Sequence, residues 1–360
     1  MAEPEIWLLD HAPILGGAER FALRLARHAA TASGAPQVRL VCPEQSPLAD
    51  AARALGFPVT AHRFPDLSPR AGPAVVRAVL ATRALLRRAG AAAVVANTSR
   101  AQAYVSVAVL ALRRRPAIVQ LVHEQETAAR PTARLMFRRV GAVVAIGSNV
   151  AHAYREAVGA VPISQINNVI GPDELSDVVR RPAPGPPRLG VVARMIPEKG
   201  ILELIGELFA GPAHWSTVQI AAPAQDPSYE TSVRQRVEEL GLADRVELVG
   251  EITRLSDFFG EVDAVLVPSI GGEGQPGVIL EALAHGLPVV VRQPVWSPDY
   301  TGLPVRSYRD AGDLPGAISH VLAAPPAPHH ELTARFGPEQ AIAGILAAAK
   351  AARRDGRISG

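Results

Sequence analysis

Two carboxylates raise the first chemical question in this chain of 360 residues. Glu273 lies in GGEGQPG (271–277), a stretch dominated by glycine and proline, and Glu281 lies in the apolar run VILEALA (278–284), with seven residues between the two acids. An ionised carboxylate only accepts hydrogen bonds, and its two oxygens can take both hydroxyls of a vicinal diol. A sugar or a ribose fits that chemistry. Gly271, Gly272, Gly274 and Gly277, with Pro276 among them, let the backbone come close to a ligand. Each acid taken alone has a plainer role, Glu273 complementing a helix N-terminus and Glu281 lying on a solvated face. The loop, the spacing and the apolar surroundings of Glu281 together favour ligand binding.

A second constellation carries the opposite charge. In RLGVVARMIPEKG (188–200) a strand delivers Arg194 to its carboxyl end, a four-residue turn follows, and Lys199 opens the next helix. Two cations near a helix N-terminus suit a diphosphate, and they would stabilise charge growing on it during bond cleavage. Lys199 and Lys350 are the only lysines in a chain that otherwise uses arginine. A lysine kept against that bias points to a specific role rather than to a solvated turn.

Two further sites leave their readings open. DHAPILGGAER (10–20) brings Gly16 and Gly17 directly before a helix opened by Ala18 and Glu19, either to offer backbone amides to a phosphate or as an ordinary strand-to-helix turn. AIVQLVHEQE (117–126) ends a strand at His123, with Glu124 and Glu126 close by. Histidine is the side chain most easily used near neutral pH, yet one at a strand end is as often structural. No second histidine is placed to complete a metal site. GEGQPG (272–277) has G-x-G-x-x-G spacing but does not lie in the first strand-to-helix turn of either half, where a dinucleotide fingerprint belongs, and G-x-S-x-G and kinase signatures are absent, which argues against redox, serine-hydrolase and kinase chemistry.

These residues must be held by elements, and the chain alternates short β-branched runs with amphipathic stretches. EIWLLD, QVRLVC, AAAVVANTS, AIVQLVH and AVVAIGS read as strands with helices between them. Strand and helix in turn predict a parallel α/β sheet. RRPAPGPPR (180–188) excludes both helix and central strand, so residues 1–180 form a first domain and 181–188 a linker. The alternation resumes with RLGVVAR, TVQIAA, RVELVG, AVLVPS and PVVVR, a second domain over 189–337, and a long helix follows from about 338 to the end. Two doubly wound domains joined by a stiff linker would face each other across a cleft lined by the carboxyl ends of their strands.

Composition bounds the function classes. Apolar residues make up 48% of the chain and aromatics only 4%, which suits tightly packed α/β layers. Residues 1–180 hold 21 arginines against 13 acids, and residues 181–360 hold 16 basic residues against 21 acids. Arg113, Arg114, Arg115, Arg138 and Arg139 could meet anionic lipid or an acidic acceptor, or simply face solvent. No nucleic-acid partner is expected. The single cysteine, Cys42, excludes an intramolecular disulfide framework and a cysteine-based zinc site. MAEPEIW shows no signal-peptide pattern, and the longest apolar run, Ala103 to Leu112, is half of the ~20 residues that a membrane span needs. The expectation is a cytoplasmic protein, with weak contact to the inner face of a membrane left open.

Taken in order, GGAE (16–19), LVHE (121–124), AVVAIGSNVAHAYRE (142–156), ARMIPEKG (193–200), DRVELVGEITRLSDFFGEVDAVLVPS (244–269) and EGQPGVILEALAHGLPVVV (273–291) resemble the retaining glycosyltransferases of family 4. The resemblance covers most of the chain and is strongest in its second half. It implies the GT-B fold, two Rossmann-like domains with the C-terminal helix crossing back onto the first. It also implies roles: Arg194 and Lys199 bind the donor diphosphate, Glu273 contacts the transferred sugar, and Glu281 binds the ribose. Gly16, Gly17, Gly274, Gln275, Pro276 and Gly277 complete the donor site. His123 sits beside the reacting sugar, and with Arg194, Lys199 and Glu273 it serves the transfer.

The same resemblance implies that anomeric configuration is kept, with the leaving phosphate oxygen taking the acceptor's proton. No protein nucleophile, cofactor or metal is then required. UDP is the favoured nucleotide. The acceptor would be a small polar molecule, such as an aminocyclitol or sugar intermediate of natural-product biosynthesis, or a lipid-linked one. A nucleotide-sugar epimerase or hydrolase is the alternative enzyme class. A non-catalytic member would have lost donor residues that are present here. The sequence departs from the family pattern at Ala193, Glu124, Gln275 and NNVIGPD (167–173), none of which removes a charged donor contact.

Overall fold

The computed structural model describes residues 5–90, 92–112, 115–125, 137, 139–176, 185–210, 214–223 and 225–355. The chain folds as two compact units, residues 1–171 with 336–360, and residues 172–335. The first boundary lies ahead of the one expected at 180. Pro172–Glu174 forms a 3₁₀ turn, and the Ser176 N–H donates to the Ala284 carbonyl at 2.9 Å, which ties this segment to the second unit. Of the Pro-rich stretch 180–188, residues 180–184 lie outside the described residues, as do Arg113, Arg114, Glu126 and Arg138.

The first unit is built on a seven-stranded parallel sheet. Its strands are β1 (Glu5–Leu9), β2 (Gln37–Cys42), β3 (Val59–Ala61), β4 (Ala93–Ala96), β5 (Ala117–Val122), β6 (Ala142–Ile146) and β7 (Ile163–Ile166), in the order β3-β2-β1-β4-β5-β6-β7. Helices cover both faces, so the central strands are apolar along their length rather than alternating. β4 and β6 are buried at every position. Period-two geometry sorts β1 between the two faces. Ile6 and Leu8 join a core with Phe21 and Leu25, whereas Trp7 and Leu9 join another with Val94 and Tyr104. Phe21 and Leu25, one turn apart on the helix Gly17–Thr31, are fully buried, and each such side chain contributes about 1.5–3 kcal/mol.

The C-terminal helix Pro338–Asp355 packs on β5, β6 and β7 and on the helix Gly17–Thr31. Close approach requires a glycine at Gly344, where a Cβ would run into the Ile166 side chain on β7.

The second unit has a six-stranded parallel sheet of β8 (Leu189–Val192), β9 (Val218–Ala221), β10 (Val246–Leu248), β11 (Ala264–Val267), β12 (Val289–Arg292) and β13 (Val305–Tyr308), in the order β10-β9-β8-β11-β12-β13. Asp263 anchors the start of β11 to the residue before β8. Its carboxylate accepts from the Arg188 backbone N–H at 2.8 Å and from the guanidinium at 2.9 and 3.1 Å. Apart from Glu281 the helix Gly277–Ala284 is apolar, and it stops at a left-handed Gly286, φ 71°.

Candidate active site

Each sheet reverses its direction of winding once, between β1 and β4 in the first unit and between β8 and β11 in the second. In open α/β sheets, ligands bind outside the carboxyl ends of the strands at such a point. In the second unit, Arg194 lies just past β8, while Ser269 and Glu273 follow β11.

Backbone bonds clamp these two loops together. Pro197–Lys199 forms a 3₁₀ turn, so Lys199 closes that turn rather than opening the helix Ile201–Ala210. Gly200 follows at φ 65°, pressed so closely against the Pro268 carbonyl that a Cβ would overlap it. The Glu198 carbonyl accepts from the N–H groups of Ile270 (3.0 Å) and Gly271 (3.2 Å). Arg292, at the end of β12, donates to the Pro268 carbonyl at 3.0 Å and to Glu207 at 2.8 Å.

Lys199 is thereby brought to Glu273, and its ammonium donates to Oε1. The Ser269 hydroxyl donates to the same oxygen at 2.9 Å. Both side chains of the ion pair keep under a fifth of their surface exposed, at 19% and 17%. Arg194 is half-buried and makes no side-chain hydrogen bond or ion pair among the described residues. A half-buried guanidinium in that state is poised for an anion.

Glu281 lies on the helix that the loop opens and is 8% exposed, buried among Ile279, Leu280, Ala282 and Leu283. The solvated-face reading of Glu281 is therefore wrong. Gln275 is buried, and its side-chain nitrogen donates to Asp299 Oδ2 at 2.8 Å. Ser297, also buried, donates to the same oxygen at 2.6 Å. The Gln275 amide thus ties the glycine loop to the segment after β12. Gly274 is buried, Pro276 precedes the helix and Gly277 is its first residue.

The first unit gathers its polar residues at its own switch point. Asp10 follows β1, Asn97 follows β4 and His123 follows β5. Asp10 and Asn97 are 0% and 1% exposed. Asn97 Nδ2 donates to Asp10 Oδ2 at 2.6 Å and to the Ala18 carbonyl at 3.0 Å, and Asn97 Oδ1 lies 3.0 Å from His123 Nε2. The Ala12 N–H donates to Asp10 Oδ1 at 2.7 Å. Burial, reinforced by the charge of Glu19, pushes the Asp10 carboxyl up to about 7. Burial pushes His123 down to about 4, so its ring is neutral near pH 7 rather than titrating there.

Gly16 and Gly17 start the neighbouring helix, and the Gly16 N–H donates to Glu19 Oε2 at 2.9 Å. A Cβ on Gly17 would meet no atom within 4 Å. The fold itself does not need glycine there.

Sequence reasoning singled out Lys199, Glu273, Arg194, His123 and the glycines, and it passed over Asp10, Asn97, Ser269 and Asp299. Asp10 and Asn97 carried a readable signal, a polar residue set directly after an apolar strand in EIWLLD and AVVAN. Asp299 carried none, because its partner Gln275 is distant in sequence.

Two family models match, "Glycosyltransferase Family 4" over residues 15–174 and "Glycosyl transferases group 1" over residues 186–323. A curated relative, the lipopolysaccharide core biosynthesis mannosyltransferase LpsB of Rhizobium meliloti (strain 1021), is 37% identical over 78 residues, which is 21% of this chain and 22% of the relative. The match thus spans about a fifth of that relative's length. Among solved structures, Anabaena HepE in complex with UDP and glucose has a TM-score of 0.74 at 20% identity, covering 95% of this chain and 99% of HepE. A glycosyltransferase from Rickettsia africae ESF-5 has a TM-score of 0.77 at 15% identity, covering 98% and 99%. The lipopolysaccharide outer core galactosyltransferase WaaB, in its apo form, has a TM-score of 0.74 at 17% identity, covering 96% and 98%. Both units carry the sheet order and the motifs of one fold, and the chain belongs to the family-4 glycosyltransferases, enzymes of the GT-B fold.

Proposed function

We propose that the chain is a retaining glycosyltransferase that moves a hexose from a UDP-linked donor to a hydroxyl group. The observation that carries this reading is the cluster at the β8/β11 switch point. Arg194 and Lys199 supply fixed positive charge there, and Glu273 supplies a hydroxyl acceptor held by Lys199 and Ser269. Two cations suit a diphosphate and the charge that grows on it as the glycosidic bond breaks. The phosphate oxygen takes the acceptor's proton on the face that the nucleotide leaves, so no protein nucleophile enters. Glu281 offers a buried carboxylate to the ribose diol. The UDP-glucose complex of HepE supports the choice of nucleotide.

Calorimetry with UDP, ADP, GDP and TDP tests the donor, with UDP expected to bind tightest. Proton NMR of the first-formed product tests retention. An inverted anomer would overturn the mechanism, and free sugar or epimer from UDP-sugar alone would favour a hydrolase or epimerase.

The acceptor has two readings, a small polar molecule of natural-product biosynthesis or a lipid-linked one. The surface of the first unit favours the second. The helix Gly72–Arg88 exposes Val76 (60%) and Leu80 (57%) beside Arg77, Arg87 and Arg88 and carries no acid. The adjoining helix Ser99–Ala108 and the turn after it expose Val107 and Leu110. Residues 62–112 hold seven arginines against one acid, Asp66. Apolar side chains rimmed by arginine suit an anionic bilayer surface. No helix among the described residues is long and apolar enough to cross a membrane. Pelleting with phosphatidylglycerol vesicles, lost in Leu80→Asp and at high salt, is the expected result. Equal binding to neutral vesicles, or none, returns the small acceptor.

A further inference from the structure

The polar chain of the first unit has a direction that its atoms dictate. Asn97 Nδ2 carries two hydrogens, and both have acceptors, one on Asp10 and one on the Ala18 carbonyl. The amide cannot flip without placing its oxygen against those two acceptors, so Oδ1 faces His123. An amide oxygen only accepts, so His123 Nε2 must carry the hydrogen. Burial keeps the ring neutral near pH 7, and a neutral imidazole has a single N–H. Nδ1 is then a bare lone pair, and it has no partner among the described residues. Phe21 meets the ring edge-on at a centroid distance of 5.5 Å and restricts its rotation.

We propose that Asp10 and Asn97 are positioning residues that lock His123 in its Nε2–H tautomer, so that Nδ1 is offered as a hydrogen-bond acceptor to a hydroxyl of the sugar substrate. The proposal rests on the transferase reading for the identity of that hydroxyl and on the geometry of the first unit for the tautomer. Asp10 is buried completely and is held by the Asn97 amide, by the Ala12 N–H and by a side-chain hydrogen bond with Glu19. Ala12 is the only non-glycine among the described residues at positive φ, 41°. Such a conformation costs free energy and persists where surrounding contacts impose it, most often at functional sites.

Asp10→Asn, compared with the wild type at a pH above the Asp10 titration at about 7, is the diagnostic substitution, since it keeps the shape but puts a donor where the ionised carboxylate only accepts. An amide at position 10 can donate to Asn97 Oδ1, which favours turning the Asn97 amide over, against the loss of its bond to the Ala18 carbonyl, and presents Nδ2 to the ring. His123 would then carry its hydrogen on Nδ1 and lose its acceptor. The full-length protein, labelled with ¹⁵N at histidine and assigned through His123→Gln, is measured by long-range ¹H–¹⁵N correlation. The expected result is the Nε2–H tautomer in the wild type and the Nδ1–H tautomer in Asp10→Asn. In the same variant kcat/KM for transfer falls about 2- to 12-fold, the worth of one hydrogen bond between neutral groups, while the Kd for UDP changes less than about twofold.

A wild-type His123 in the Nδ1–H form overturns the proposal without recourse to any variant. So does a variant that changes tautomer with no loss of transfer. Failure of UDP to bind the wild type would instead overturn the donor reading of the second unit, and the tautomer spectrum would still decide the lock.

Discussion

Lys199 donates to Glu273 across two loops that the sequence keeps 74 positions apart. The ammonium and the carboxylate neutralise each other in the free protein, and the turn of Gly200 against Pro268 holds them in place. A diphosphate would compete for the lysine and release Glu273 to accept sugar hydroxyls. Lys199→Ala should therefore raise the Kd for UDP about 10- to 100-fold, the scale of a charge-assisted hydrogen bond. Glu273→Gln should spare UDP but lower kcat with UDP-sugar. Isothermal titration and steady-state kinetics separate the two, and UDP affinity unchanged in Lys199→Ala would remove the lysine from the donor site.

Glu281 is a buried carboxylate on an otherwise apolar helix. Glu281→Gln should weaken UDP about tenfold by losing charge-assisted bonds to the ribose, and leave inhibition by inorganic pyrophosphate unchanged. Equal losses for both ligands would move Glu281 out of the ribose site.

Gly17 offers a test that separates stability from activity. A methyl group there meets open space, and alanine is the better helix residue by about 0.5–1 kcal/mol. Gly17→Ala should therefore unfold at the same temperature or higher and yet turn over the donor more slowly. Full activity would mean that no ligand approaches this backbone.

The buried titrating groups give stability a definite pH dependence. His11 and His123 are both pushed down to about 4 by burial, and for His11 the charge of Arg100 adds to it. Each binds fewer protons folded than unfolded, so the stability they contribute is present above about pH 6.5 and lost as pH falls through about 4. Asp10 pulls the other way. Its carboxyl is raised to about 7, so its contribution is present below about pH 4 and lost as pH rises through about 7. Urea unfolding should show Asp10→Asn gaining on the wild type steadily between these limits. A pH-independent difference would refute the raised Asp10.

Gly344 tests the docking of the C-terminal helix. Valine there must displace Ile166 on β7, at a cost of about 1–3 kcal/mol for overpacking. A midpoint of denaturation equal to the wild type would show that the helix lies further from the sheet.

The sequence by itself determined the local elements and the chemical types at their ends. Continuous β-branched runs such as AVVAI can only be buried on both faces, and a strand followed by a helix on each repeat leaves a parallel sheet. Lys199 was legible through the scarcity of lysine, and Glu273 and Glu281 through the glycine loop between strand and apolar helix. Only the tertiary structure decided which of these groups meet. Strand order places β8 beside β11 and β1 beside β4, and no local pattern encodes that neighbourhood. The Lys199–Glu273 pair, the Gln275–Asp299 bond and the Asp10–Asn97–His123 chain all join residues from separate crossovers. The histidine shows the physical reason most plainly. Its residue type suggests a neutral-pH titration, whereas burial and one amide oxygen, both supplied by distant parts of the chain, set its charge and its tautomer.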